Sequence, residues 1–131
     1  MKIYLAGPMR GYPSANRVSF ERAAMLLRHA HPPEELELFS PVEYNDTHGI
    51  PEGDIGPLAI DLAWIINQAD GAVLLPGWED SRGARAEVAV AIAVSKPVWR
   101  LETYLLYGPD LNWVLDIDTC LTAIEGRPYG V

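Results

Sequence analysis

Short apolar runs alternate with helical patterns along the chain, and this alternation limits the fold more than any other feature of the sequence. The apolar runs are residues 3–6, 36–39, 71–75 and 98–101. Apolar side chains at helical spacing mark residues 14–30, 57–68 and 83–94. Runs of four or five apolar residues are typical of buried strands, so we assign a strand to each run and a helix to each intervening segment.

A strand-helix alternation of this kind implies a parallel sheet with right-handed crossovers and helices on both faces. We therefore predict a single-domain α/β fold over residues 1–131, a Rossmann-like or flavodoxin-like three-layer sandwich. Its sheet has four or five parallel strands, in the order 2-1-3-4 or 2-1-3-4-5. Residues 102–131 follow no pattern that we can assign.

Two local signals refine this prediction. Ser14 is predicted to cap the first helix, which must end before Pro32 and Pro33. Residues 40–56 are rich in Pro, Gly, Asn and Asp, which predicts a long loop. Because loops of this length often carry function, we expect it to close over a binding crevice.

The composition excludes several classes of function. Eighteen acidic and ten basic side chains give a net charge of −8, which repels polyanions, so we expect no nucleic acid polymer as partner. The single cysteine, Cys120, cannot pair within the chain, and no Cys/His spacing fits a zinc site. The glycine fingerprints of dinucleotide sites and P-loops are absent. We therefore predict no metal and no cofactor.

No apolar run is long enough to span a bilayer or to form the core of a signal peptide. We expect a cytoplasmic protein without membrane contact.

Two loops at the ends of predicted strands point to a binding site. Residues 7–11 follow the first strand and residues 77–87 follow the third. In the predicted strand order the winding reverses between these two strands, and ligands of open parallel sheets bind at that point. We therefore predict a crevice with Arg10 on one wall and Glu87 on the other. A cation facing a carboxylate suits a small substrate with an anionic handle and an electrophilic centre.

Glu87 is the candidate nucleophile. No capping box with Ser81 explains its position, and its neighbours Ala84, Ala86 and Val88 indicate a carboxylate held against protein. We expect the nearby helix N-terminus to keep it ionised, as a nucleophile must be. The alternative is an ordinary surface carboxylate.

Other polar and aromatic residues are candidates for substrate contact. Arg10 lies in a glycine-flanked loop, which favours anion binding over a solvated charge. Asp61 lies at the edge of the apolar face of its predicted helix, so we expect a partner: Arg10, a substrate hydroxyl or the leaving group. Tyr4 and Trp78 carry rings that stack on nucleobases, although Tyr4 also suits an ordinary core position.

Three ordered motifs resemble those of the nucleoside 2-deoxyribosyltransferase superfamily. They are residues 3–11, residues 61–64 with residues 69–73, and residues 81–87. The sequence is most similar to an uncharacterised phage and bacterial branch of this superfamily and is also similar to the 2′-deoxynucleoside 5′-phosphate N-hydrolases. The resemblance covers residues 2–101.

The resemblance implies roles for individual residues. Glu87 matches the nucleophilic glutamate and Asp61 the active-site aspartate. Tyr4 and Arg10 match residues around the sugar and phosphate, and Ser81 a serine that contacts phosphate. The remaining predicted substrate-binding residues are Gly7, Met9, Gly11, Trp78 and Gly83.

The sequence departs from the family at Pro8, where the phosphohydrolases tend to carry serine, and after residue 101. The resemblance also implies a homodimer or higher homo-oligomer in which the C-terminal segment of a neighbour completes the site.

The implied reaction is attack of the Glu87 carboxylate on C1′ of a 2′-deoxynucleoside or its 5′-monophosphate. The resulting deoxyribosyl ester is resolved with retention by water or by another base, which makes the chain a hydrolase or a transferase. Asp61 protonates the departing base or fixes the sugar. Two alternatives stay open: a non-catalytic nucleotide-binding or nucleotide-sensing module, and a structural or interaction protein.

Overall fold

A computed structural model describes residues 1–51 and 56–110 of the chain. Four strands and five α-helices alternate in this part, with short 3-10 turns between them. The strands are β1 (Lys2–Ala6), β2 (Glu37–Phe39), β3 (Gly71–Leu74) and β4 (Val98–Arg100). The helices are α1 (Arg17–Ala30), α2 (Pro41–His48), α3 (Pro57–Asn67), α4 (Arg82–Ala93) and α5 (Leu101–Tyr107).

The four strands form one parallel sheet in the order β2-β1-β3-β4, which confirms the predicted α/β fold. Ile3 pairs with Gly71, and Ala6 pairs with Leu74. The carboxyl ends of β1 and β3 therefore lie side by side at one edge of the sheet, where the winding reverses. A fifth strand is absent from the described residues, and the predictions for residues 111–131 lie outside them.

Alternating side chains of β1 divide the core into two layers. Ile3 and Leu5 point to a cluster with α1 and α5, whereas Tyr4 and Ala6 point to a cluster with α3 and α4. This period of two is the geometry of a strand that is buried on both faces. The two clusters make the three layers of the sandwich, and Tyr4 is thereby aimed at the helix that carries Glu87. None of the described helices has the length and apolar character needed to cross a bilayer.

Two local predictions are wrong. Ser14 lies in a 3-10 turn (Pro13–Asn16), and α1 begins at Arg17 without a side-chain cap. The expected loop at residues 40–56 contains the helix α2. A sequence signal was present, because Ser40 caps this helix by accepting from the backbone N–H of Glu43.

Two ion pairs fasten α2 to α1. Arg17 binds Asp46 at 2.5 and 2.7 Å, and Arg28 binds Glu43 at 2.6 and 2.7 Å, each through two parallel hydrogen bonds. Only Pro41 and Val42 of this helix are buried. The helix therefore buries only a small apolar face, which explains why apolar periodicity did not predict it.

We expect Gly71→Ala to lower the free energy of unfolding by about 3 kcal/mol, because a Cβ there meets packed atoms of β4 and of the residue before it. It would overlap the ring of Trp99 and lie 2.9 Å from the carbonyl oxygen of Pro97. Urea unfolding measures the change. Gly83→Ala is the matched control, since a Cβ at Gly83 meets nothing within 4 Å. Equal effects of the two substitutions would contradict the packing of β3 against β4.

Candidate active site

A cleft of about 710 Å³ opens at the carboxyl ends of β1 and β3. This volume lies within the range of about 300–1,000 Å³ that is typical of small-molecule sites. Its walls come from the loop after β1, from α2, and from the first turns of α3 and α4. Of the predicted site residues, those on the walls are Gly7, Met9, Arg10, Gly11, Asp61, Ser81, Gly83 and Glu87.

The two predicted loops meet at Gly77, between β3 and α4. Its φ is +87°, and an added Cβ would lie 2.9 Å from the Tyr12 hydroxyl and 3.2 Å from Cγ of Pro8. The loop after β3 is thus packed directly against the loop after β1. This contact sets the spacing between the two walls.

Glu87 lies in α4 with only 6% of its surface exposed, and its carboxylate faces the cleft. The Tyr4 hydroxyl donates a hydrogen bond to Oε2 of Glu87. Burial raises the pKa of Glu87 well above its ordinary value; Tyr4 opposes this rise, and the charge of Asp61 adds to it. The expected ionisation by the helix N-terminus therefore does not dominate, because desolvation has the larger effect.

Asp61 lies in α3 on the same cleft and is also buried, with 7% exposed. Its Oδ1 is buried without a hydrogen-bond partner. Burial raises the pKa of Asp61 from 3.8 to about 6, and an interaction with the Tyr4 hydroxyl acts in the opposite direction. Asp61 is thus a carboxyl group that titrates near neutral pH and offers one oxygen to a ligand.

Tyr4 lies behind the cleft wall and connects the two carboxyl groups. It is fully buried, and burial, together with the charges of Glu87 and Asp61, raises its pKa well above 10.0. The phenol therefore stays protonated at neutral pH and acts as a donor. Tyr4 does not line the cleft, so its place is beneath Glu87 and not against a substrate ring.

Trp78 was predicted to contact substrate, but it is 3% exposed and packs in the core cluster of α3 and α4. Ser81 lines the cleft and also caps α4, because its Oγ accepts from the backbone N–H of Ala84 at 3.3 Å. The start of α4 thus presents backbone N–H groups and its positive dipole end to the cleft.

Sequence reasoning missed several cleft residues. Asn45 of α2 lines the cleft, and its Oδ1 is buried without a partner. Arg82 is exposed on the same wall as Ser81, and Arg17 contributes to the rim through its pair with Asp46. The capping signal at Ser40 was the clue to Asn45, because it marks the start of the helix that carries this side chain.

We expect Asp61→Asn to raise the free energy of unfolding by about 1–2 kcal/mol at pH 8 and by about 0.5 kcal/mol or less at pH 4. The pKa of Asp61 is higher in the folded chain, at about 6, than its ordinary 3.8. Below the lower value both states are protonated, whereas above the higher one the fold bears the cost of a buried charge. Urea unfolding at the two pH values measures the difference. A stability gain that is equal at pH 4 and pH 8 would contradict this account.

In the part of the chain that the structure describes, no three His, Cys, Asp or Glu side chains are grouped so as to hold a metal ion. The cleft residues that the structure describes offer two carboxyl groups and several arginines, with the Tyr4 phenol behind them. Most enzymes that cleave glycosidic bonds use two carboxyl groups with different roles.

Comparison with known proteins gives one match. A family model described as a domain of unknown function (DUF4406) matches residues 1–100. No curated protein and no solved structure matches the chain. The matched region contains all four strands and every cleft residue named above.

Proposed function

The chain belongs to the DUF4406 family, and we propose that it cleaves the N-glycosidic bond of 2′-deoxynucleosides or their 5′-monophosphates. The reaction passes through a covalent deoxyribosyl intermediate on Glu87, with water or a second base as acceptor. The chain is accordingly a hydrolase or a transferase of nucleotide metabolism.

One observation carries the proposal: Glu87 and Asp61 line the same cleft, and the Tyr4 hydroxyl interacts with both carboxyl groups. The Tyr4 hydroxyl donates to Glu87, so it favours the anion of that residue. Burial raises the pKa of both carboxyl groups, that of Asp61 to about 6 and that of Glu87 well above its ordinary value, and the charge of Asp61 adds to the rise for Glu87. Attack on C1′ needs Glu87 ionised and Asp61 protonated, so the reactive form is a minor one at neutral pH, in which the single proton of the pair lies on Asp61.

The first step forms a bond between a Glu87 carboxylate oxygen and C1′ while the bond from C1′ to the base nitrogen breaks. The bonding electron pair leaves with the base, and the proton of Asp61 neutralises it. Water or a second base then attacks C1′, gives up a proton to the Asp61 carboxylate and releases the Glu87 carboxylate, so both groups return to their starting states. Two displacements at one carbon give overall retention.

The cleft also offers groups that suit an anion, and we call them its anion-binding end. Arg10 and Arg82 lie on its walls, and the N-terminus of α4 begins beside Ser81. Guanidinium groups and a helix N-terminus are common binders of phosphate. A 5′-phosphate held there would leave C1′ and the base to Glu87 and Asp61, and the Asn45 amide, which also lines the cleft, is available to hydrogen-bond the base.

Incubation of the purified chain with a panel of deoxynucleosides and deoxynucleoside 5′-monophosphates tests the proposal. We expect free base from at least one member and a lower rate from the matching ribonucleotide, because a 2′-hydroxyl withdraws electrons from the oxocarbenium-like transition state. The absence of base release from every member would overturn it. Size measurement in the same preparation tests the homo-oligomer, which stays a prediction, as does the cytoplasmic location.

A second candidate is a nucleotide-binding module without turnover. The raised pKa of Glu87 favours it, because a protonated glutamate is a poor nucleophile. Thermal stabilisation by nucleotides without any release of base would select this candidate over the enzyme.

We expect Tyr4→Phe to move the acidic limb of the pH profile of kcat/KM to higher pH. The Tyr4 hydrogen bond lowers the pKa of Glu87, so its loss raises that pKa and requires a higher pH for ionisation. Asp61→Asn removes a charge that raises the same pKa, so its acidic limb moves to lower pH. Shifts of the same sign in both variants would contradict the arrangement.

A further inference from the structure

Three charged residues are buried in the described part of the chain: Asp61, Arg85 and Glu87. Asp61 and Glu87 face the cleft, but Arg85 does not line it although only 6% of its surface is exposed. Burial of a guanidinium is costly unless its donors are satisfied.

The side chain of Arg85 reaches back over the start of α4. Its Nε donates to the carbonyl oxygen of Glu79 at 2.7 Å, and its backbone N–H donates to the carbonyl oxygen of Ser81 at 2.9 Å. Glu79 belongs to the 3-10 turn Trp78–Asp80, which joins β3 to α4. Arg85 thus ties the turn before the helix to the helix itself.

The residue that precedes this turn contacts the loop after β1. Gly77 lies against Pro8 and Tyr12 with no room for a Cβ. A shift of the turn therefore moves the wall that carries Arg82 relative to the loop that carries Arg10. Glu87 is less affected, because it lies further along α4 and is held by Tyr4.

We propose that Arg85 is a positioning residue that sets the anion-binding end of the cleft through the Glu79 carbonyl. It touches no substrate, and its effect falls on the spacing between the walls of Arg10 and Arg82. The inference rests on the proposed function, because it assigns the phosphate of a deoxynucleoside 5′-monophosphate to that end. It predicts that Arg85 affects the affinity for the 5′-monophosphate and not the affinity for the nucleoside.

Calorimetric titration of a 2′-deoxynucleoside 5′-monophosphate and of the same nucleoside without phosphate tests this role in Arg85→Met and Arg85→Lys. We expect Arg85→Met to weaken binding of the monophosphate by about tenfold or more and binding of the nucleoside by less than about twofold. Arg85→Lys keeps the charge but loses the planar fork, so an intermediate loss for the monophosphate alone is expected. In turnover, the loss appears in KM with kcat largely retained.

Equal weakening of both ligands, or of neither, in folded variants would overturn the role, and so would a wild-type chain that binds neither ligand. If Arg85→Met does not fold, the Arg85→Lys result decides alone. The calorimetric measurement does not depend on base release. If the variants lose affinity for the monophosphate alone but the chain releases no base, the role of Arg85 stands and the proposed function is wrong. If the chain releases base but the variants show no phosphate-specific loss, the proposed function stands and the role of Arg85 is wrong.

Discussion

Replacement of Glu87 by glutamine is expected to reduce base release by about 10³-fold or more while the fold is retained. The amide occupies nearly the same volume but cannot form the ester with C1′. It also removes a carboxyl group that is 6% exposed, so the variant should unfold at no lower urea concentration than the wild type at pH 8. Chromatographic detection of free base over time measures the rate.

Glu102→Gln is the matched control for this loss. Glu102 is an exposed carboxylate on α5, which packs on the opposite face of the sheet from α4. We expect its rate to equal that of the wild type. A Glu87→Gln variant that keeps more than a tenth of the wild-type rate would show that another group attacks C1′, or that water does so directly.

Asp61→Asn is expected to lower kcat/KM by about 10²–10⁴-fold on natural deoxynucleotides, because the departing base loses its proton donor. The loss should depend on the leaving group. The 4-nitrophenolate group of a 4-nitrophenyl 2-deoxyriboside leaves as a stable anion without protonation, so kcat/KM for this substrate should fall far less. This contrast separates proton donation from sugar positioning, which are the two roles that the sequence left open for Asp61.

An equal loss on both substrates would assign Asp61 to holding the sugar. Unchanged rates on both would remove Asp61 from the reaction. Asp70→Asn serves as the control, because Asp70 lies at the opposite end of β3, where its Oδ2 accepts from the backbone N–H of Lys2.

The sequence was sufficient to predict the sheet and its order, because each apolar strand is followed by a helical pattern. It also placed the loops with Arg10 and Glu87 at the switch point. Asp61 was predicted from its place at the edge of an apolar helix face and from the resemblance. The prediction failed where apolar periodicity is weak. The helix α2 has only Pro41 and Val42 buried and depends on the cap at Ser40 and on pairing with α1.

The electrostatics of the site could not be predicted in this way. Tyr4 and Glu87 are 83 residues apart in the sequence, and their hydrogen bond exists only because β1 pairs with β3 and α4 packs on that face. The sequence placed a carboxylate near a helix N-terminus, which favours ionisation, but the extent of its burial is a property of the tertiary fold. The burial of Arg85 could not be predicted for the same reason, since an arginine in a helix is usually exposed unless neighbouring elements cover it.

Mass spectrometry of the chain after reaction with a 2′-fluorinated deoxynucleoside analogue tests the central claim most directly. The fluorine slows release of the sugar because it destabilises the oxocarbenium-like transition state, so the intermediate accumulates. The account predicts a mass increase of one fluorinated sugar, mapped by peptide analysis to Glu87 and absent from Glu87→Gln. Base release without an adduct and with inversion at C1′, or an adduct on another residue, would contradict it.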